Sequence, residues 1–170
     1  SAWLEEEKEK TILPWRAASN KIYDLPHEIF ITTGYEWDQL DDDSKQELLT
    51  RNFIIHPSSD RMGYQLKGEP LQLLSLIELI SSGVNFGTIQ LLPNGQLVIL
   101  MADHQTTGGY PRIAHVIAAH FPKLAQLRPS DGVKFTMTSM EHAEELYCAQ
   151  QNELQILQRA CADHLKQLVC

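Results

Sequence analysis

The sequence predicts a mainly β protein: a closed β-barrel with peripheral helices and one long C-terminal amphipathic helix. Short apolar runs recur between turns rich in Gly, Pro, Ser and Asn, which is the pattern of many short strands. One pair of runs flanks Pro93-Asn94-Gly95, a hairpin signal. After Thr138 the apolar spacing changes to three- and four-residue steps, the period of a helix. Many short strands are best closed into a ring, because closure leaves no edge unpaired. The expected boundaries are a lead-in or linker over 1–25, the barrel over 26–138 and the helix over 139–170.

The individual elements follow from local chemistry. The mixed-charge start Glu5 to Lys10, with Ile12-Leu13-Pro14-Trp15 after it, reads as the lead-in, and Glu28 to Thr33 as the first strand. Ser44 and Glu47 make an S-x-x-E capping box, so a short helix is expected to begin there, after Asp41-Asp42-Asp43. Phe53 to His56, closed by Pro57-Ser58-Ser59, is a second strand, and Gly63 to Leu66 a third. The run Leu71 to Ile80 suits a buried helix or buried strands, which periodicity alone does not separate. Thr88 to Leu92 and Gln96 to Ala102 form the hairpin, with Asn94-Gly95 expected in the positive φ angles of a type I′ turn. The second of these runs reads as buried on both faces. Ile113 to Ala118 and Val133 to Thr138 complete the strands, with Pro122 to Leu127 as a short helix between them.

Thr138 and Glu141 make another capping box, opening the long helix. Ala143, Leu146, Tyr147, Leu154, Leu157, Cys161, Leu165 and Leu168 form its apolar stripe. The stripe is expected to pack on the barrel or on a further half of the protein, in preference to a dimerising coiled coil.

Composition narrows the function classes. The 170 residues suit one domain able to bury a core without disulfides or metals. A net charge of −8 argues against binding a nucleic-acid backbone, which requires Lys and Arg to displace counterions. Cys148, Cys161 and Cys170 are odd in number, crowded into the last segment and without C-x-x-C spacing, as expected in a reducing compartment. No apolar run reaches the roughly 18 residues of a membrane span, and no signal-peptide pattern opens the chain. A cytoplasmic protein without membrane contact is the expectation. The Ser-Ala start, with no initiator Met, suits a fragment of a longer product.

The stretch most suited to ligand chemistry is Met101 to Arg112, a polar, glycine-rich turn directly after the most apolar strand. Gly108 and Gly109 permit close backbone approach, Thr106 and Thr107 offer hydroxyls, and Pro111 stiffens the exit. Such a loop can aim several donors at a carboxylate, a ureido group or a phosphate, or it can be an ordinary tight turn. It lacks the G-x-x-x-x-G-K-[ST] pattern of a P-loop.

The string Asp103-His104-Gln105-Thr106-Thr107-Gly108-Gly109-Tyr110-Pro111 resembles the signature of the allophanate hydrolase subunit 2 family, which is also the family of biotin-dependent carboxyltransferases and of the 5-oxoprolinase C subunit, and includes KipA. Further segments resemble that family in the same order: Gly34-Tyr35-Glu36-Trp37-Asp38, Ser59 to Gly68 (SDRMGYQLKG), Ser82-Gly83-Val84 with Gly87-Thr88-Ile89-Gln90, and Leu124-Ala125-Gln126 with Arg128-Pro129-Ser130-Asp131. The chain departs from the pattern at His104, where the family has Arg, at Ser82, where it has Glu, and at Ser130, where it has Gly. Loss of the Arg removes a permanent charge and a five-donor fork. The resemblance implies a cyclophilin-like β-barrel forming the C-terminal half of a polypeptide about twice this length. It also implies an N-terminal half as partner, and a small protein like KipI or the 5-oxoprolinase B subunit as another.

Candidate site residues combine the two readings. Arg61 could grip a carboxylate or carbamate with Asp60 fixing its orientation, or the pair could knit two loops together. Asp103 could bond an amide N–H, act as a general base if buried, or cap its own turn. Gln105, Thr106, Thr107, Gly108, Gly109 and Tyr110 would supply neutral contacts suited to a lactam or ureido ring, although Tyr110 could equally pack on the barrel. Arg61 and the loop from Asp103 are expected together on a rim at the barrel mouth. His115 and His120 lack a third ligand, so no metal site is expected. Ser58, Ser59 and Ser139 lack a G-x-S-x-G context, so no nucleophile elbow is expected despite the family's name.

The resemblance implies an amide- or ureido-processing enzyme, foremost the ATP-dependent opening of 5-oxoproline to glutamate, with ATP bound through a partner subunit. Its alternatives are carboxyl transfer from carboxybiotin to an acceptor such as urea, and a non-catalytic KipA-like regulator that binds a kinase-inhibitor protein.

Overall fold

The computed structural model describes residues 28–75 and 79–169, with side chains as far as 163. The expected lead-in over 1–25 lies outside them. Seven strands close a barrel in the order β1 (Glu28–Thr33), β8 (Arg112–Val116), β5 (Thr88–Leu91), β6 (Leu97–Leu100), β3 (Gly63–Lys67), β2 (Asn52–Ile55) and β9 (Gly132–Met137). All neighbours are antiparallel except β1 and β9, which seal the ring in parallel, with Ile29 opposite Phe135. A two-stranded ribbon, β4 (Ser82–Gly83) with β7 (Thr107–Gly108), lies outside the ring. Three helices complete the described chain: α1 (Asp42–Thr50), α2 (Phe121–Gln126) and α3 (Met140–Val169).

Strand alternation decides what fills the barrel. Ile29, Ile31, Phe53, Ile55, Leu66, Ile89, Leu97, Ile99, Ile113 and Phe135 point inward and are buried, with the Phe53 and Phe135 rings 5.8 Å apart. Each such side chain contributes about 1.5–3 kcal/mol of apolar burial. The interior is therefore a packed core, and ligand space has to lie elsewhere.

Several local expectations are corrected. Helix α1 begins three residues before the expected start: Asp41 caps it, its Oδ1 accepting from Ser44 N–H at 2.7 Å. Ser44 is buried inside the helix, and its hydroxyl accepts from Gln72 N–H at 2.8 Å. That bond and the Leu40–Leu73 bridge make the first part of the ambiguous run an extended strap rather than a helix. In the hairpin only Gly95 has positive φ, at 76°. Gly95 N–H bonds Leu92 O and Leu92 N–H bonds Gln96 O, so the turn has a left-handed glycine after it rather than the type I′ form. The cap of α3 is Ser139, one residue beyond Thr138, with Oγ accepting from His142 N–H at 3.2 Å.

Among the described residues, helix α3 docks on the barrel through buried Ala143 and a Gln150 Nε2–H bond to Ala119 O at 2.9 Å. Further along, Leu154 of the stripe is exposed, while Leu157 and Cys161 are half-buried. No helix among the described residues is long and apolar enough to cross a membrane.

Candidate functional site

The β3–β6 ladder runs on beyond its strands and brings two predicted site residues side by side. Met101 N–H bonds Met62 O, and Asp103 N–H bonds Arg61 O at 2.9 Å. The Asp103 carboxylate then receives both arms of the Arg61 fork, Nε at 3.0 Å and Nη2 at 3.2 Å. Asp60 does not hold Arg61. Its Oδ1 accepts instead from Met62 N–H and Gly63 N–H, closing the turn into β3. Nor does Asp103 cap its own turn through its side chain, because both its oxygens face the guanidinium.

The loop after Asp103 folds back over the outer wall of β6 and β5. It is held along its length by Val84 N–H to Thr106 O, by the β4–β7 pairing, and by Gln90 Nε2–H to Tyr110 O at 3.3 Å. Gly108 makes this possible: a Cβ there would stand 2.7 Å from Gln90 Nε2. His104 turns its ring to its own chain, with Nδ1 2.6 Å from Gln105 O. The exit is clamped by Glu36, whose carboxylate accepts from Arg112 N–H, Nε and Nη2 at 2.8, 3.1 and 2.9 Å. Burial by itself would raise the Glu36 pKa. The Arg112 hydrogen bonds and charge outweigh it and hold the carboxyl below its usual range.

Between this loop and the wall lies a cleft of about 590 Å³. Its wall is formed by Gly63 and Gln65 of β3, Gln90 of β5, and Val98 and Leu100 of β6, all outward-pointing positions. The cleft is thus on the flank of the barrel and not at its mouth, because alternation commits the inward positions to the core. It also means that β6 is fully buried on one face only. Of the predicted residues, Asp60, Gln105, Thr107, Gly108, Gly109 and Tyr110 line the cleft, with Ser58 and Met62 beside them. Arg61, Asp103 and Thr106 do not. Arg61 and Asp103 form an exposed ion pair, and the chain neighbours of Arg61, Asp60 and Met62, line the cleft.

Sequence reasoning passed over Gln90, the most buried polar group on the wall at 4% exposure. A signal was present, since one amide interrupts the run Ile89-Gln90-Leu91-Leu92. His115 and His120 are bonded to separate partners. His115 Nδ1 meets Thr88 Oγ1 at 3.2 Å, and His120 Nδ1 accepts from Phe30 N–H at 2.9 Å. Among the described residues no cluster of three or more His, Cys, Asp or Glu could hold a metal.

The sequence pattern of the carboxyltransferase domain, subdomains A and B, matches residues 4–137. The chain belongs to this family. It is 46% identical over 94 residues to the 5-oxoprolinase C subunit of Haemophilus influenzae, a match covering 55% of this chain and 30% of that protein. It is 38% identical over 124 residues to the 5-oxoprolinase C subunit of Escherichia coli, covering 73% and 38% respectively. The chain thus spans about a third of these relatives' length. Among solved structures, the K. lactis urea amidolyase shares the fold with a TM-score of 0.69 at 22% identity, over 74% of this chain and 8% of that one.

Proposed function

We propose that the chain carries the substrate-binding barrel of an ATP-dependent 5-oxoprolinase, which opens 5-oxoproline to glutamate with partner subunits, ATP being bound by a partner. One observation carries this reading: the cleft is lined by neutral amides and hydroxyls, with Arg61 lying in the chain between two lining residues, Asp60 and Met62. Gln65, Gln90, Gln105, Ser58 and Thr107 offer uncharged donors and acceptors. Asp60 is the one carboxylate among the lining residues, and two backbone N–H groups temper its charge. A small neutral ring bearing one carboxylate complements that distribution. The ring would sit under the loop from Gln105 to Tyr110, and its carboxylate would reach Arg61. Asp103 acts as the residue that positions Arg61 and balances its charge.

The relatives' shared name supports the reading, since it makes them parts of a larger enzyme. The test is coupled 5-oxoproline-dependent ATP hydrolysis and glutamate release by the full-length protein with its partners. Arg61→Ala is expected to lower kcat/KM by about tenfold or more through loss of a charge-assisted contact. Asp103→Ala should act in the same direction. Undiminished turnover in both variants would remove the site.

The family's description favours one second reading, carboxyl transfer from carboxybiotin to a small amide acceptor. A ureido ring makes the same neutral contacts as a lactam. Avidin, which sequesters biotin, abolishes activity under that reading and leaves oxoprolinase turnover untouched.

A further inference from the structure

Gln90 is the one buried amide on the cleft wall, and its bonding is half used. Nε2 donates to Tyr110 O at 3.3 Å, which also fixes the amide's orientation, since a flipped amide would set oxygen against oxygen. Nε2 carries a second hydrogen, and nothing among the described residues donates to Oε1. The amide is still not sealed in, because Gln90 lines the cleft and no fully enclosed side-chain polar atom among the described residues lacks a partner.

An acceptor left open to the cleft is free to be answered by water or by a bound molecule. Gln96 shows the contrast: its amide donates to Gly68 O and accepts from Gly68 N–H, both within the protein.

We infer that Gln90 is a specificity-determining residue: Tyr110 O takes the Nε2 hydrogen trans to Oε1, and the hydrogen cis to Oε1, with Oε1 itself, reads the C=O and N–H of a cyclic amide. The complement is geometrical. A ring holds its amide cis, so the N–H and C=O project from one edge and can pair with a carboxamide through two hydrogen bonds. An acyclic secondary amide is trans and presents them on opposite sides. A lactam and a cyclic urea share this edge, so the chemistry recognised is the cis-amide edge itself. Gly108 belongs to the same device, because only a residue without Cβ leaves room for Nε2 beneath the loop. The assignment rests on the cleft being the substrate site proposed above, and it adds the group that rejects ring analogues lacking an N–H.

Binding to the full-length protein, read by ligand-observed NMR, tests it without requiring turnover. The probes are 2-pyrrolidinone, 2-imidazolidinone and γ-butyrolactone, the last a ring of matching size with oxygen in place of N–H. Wild-type protein is expected to prefer 2-pyrrolidinone over the lactone by about tenfold or more, because a site built to bond an N–H rejects the analogue that lacks it. In Gln90→Met, a substitution of similar volume, the preference should fall to within about twofold. Stronger binding of 2-imidazolidinone than of 2-pyrrolidinone would assign the edge to a ureido ring; the reverse would assign it to a lactam. Equal binding of lactam and lactone by wild type overturns the inference whether or not the variant folds, and so does a preference that survives in Gln90→Met. Loss of 5-oxoproline turnover with the N–H preference intact would instead count against the oxoprolinase reading alone.

Discussion

Glu36 and Arg112 lie 76 residues apart in sequence and meet through three hydrogen bonds, with the guanidinium also 5.4 Å from the centre of the Tyr35 ring. Glu36 is almost fully buried and Arg112 mostly so, which gives the pair a different weight from one in water. It ties the turn after β1 to the residue that ends the loop from Asp103. Gly34 lets the two segments close, since a Cβ there would lie 2.1 Å from Arg112 O. Glu36→Ala is expected to cost about 3 kcal/mol, because it strands the guanidinium and the Arg112 N–H. Urea unfolding should show a lower midpoint with an unchanged slope. Arg112→Ala added to it should cost much less than it does alone, which a double-mutant cycle would read as coupling.

The Arg61–Asp103 pair should behave in the opposite way. Its side chains are 82% and 51% exposed, so solvent screens it. Alanine at either position is expected to shift stability by less than about 0.5 kcal/mol. A large fall in melting temperature for either variant would show the pair to be a structural clamp.

Ser130 is the one residue other than glycine with positive φ among those described, at 76°. It follows Pro129 in a turn closed by Asp131 N–H to Arg128 O, the arrangement of a type II turn, whose third position favours glycine. The left-handed conformation costs a residue with a Cβ about 1–2 kcal/mol, and glycine gives back part of that through its looser unfolded chain. Ser130→Gly is therefore expected to stabilise the protein by about 0.5–1 kcal/mol in equilibrium unfolding. A loss of stability would mean that the Ser130 side chain does more than occupy a turn.

The pH response should follow His120. Burial first, and the Lys123 charge second, push its pKa down to about 4, and its Nδ1 is committed to Phe30 N–H. The unfolded chain protonates this ring near 6.5 while the folded one stays neutral to about 4, so protons favour the unfolded state in that window. Stability is thus full above pH 6.5 and declines as pH falls from there toward 4. His115, lowered by burial, adds to the decline. His120→Gln keeps an acceptor and removes the titration, and thermal melts across pH 7.5 to 4 should show a shallower loss.

The barrel was legible in the sequence because alternation and turn residues are local. Gly63-Tyr64-Gln65-Leu66 and Ile113-Ala114-His115-Val116 lie in strands as expected, and so does the apolar hairpin. Helix starts were misread where two capping residues compete. Asp41 outcompetes Ser44 because the Ser44 hydroxyl is needed by Gln72, 28 residues away. The loop from Asp103 could be singled out as ligand-bearing, yet its position on the flank could not. That depends on which strands β6 pairs with, hence on whether Val98 and Leu100 face core or cleft. Gln90 and Glu36 sit inside recognisable motifs, but their meaning rests on partners remote in the chain.

The parallel seam between β1 and β9 has a consequence for synthesis. The ring is finished by its first and last strands, so a nascent chain emerging from the ribosome cannot complete it until Met137 is out. Until then Glu28–Thr33 keeps a bare side, able to zip onto a stranger, and closing so long a loop is slow. This last annealing step is therefore expected to set the rate at which the barrel folds.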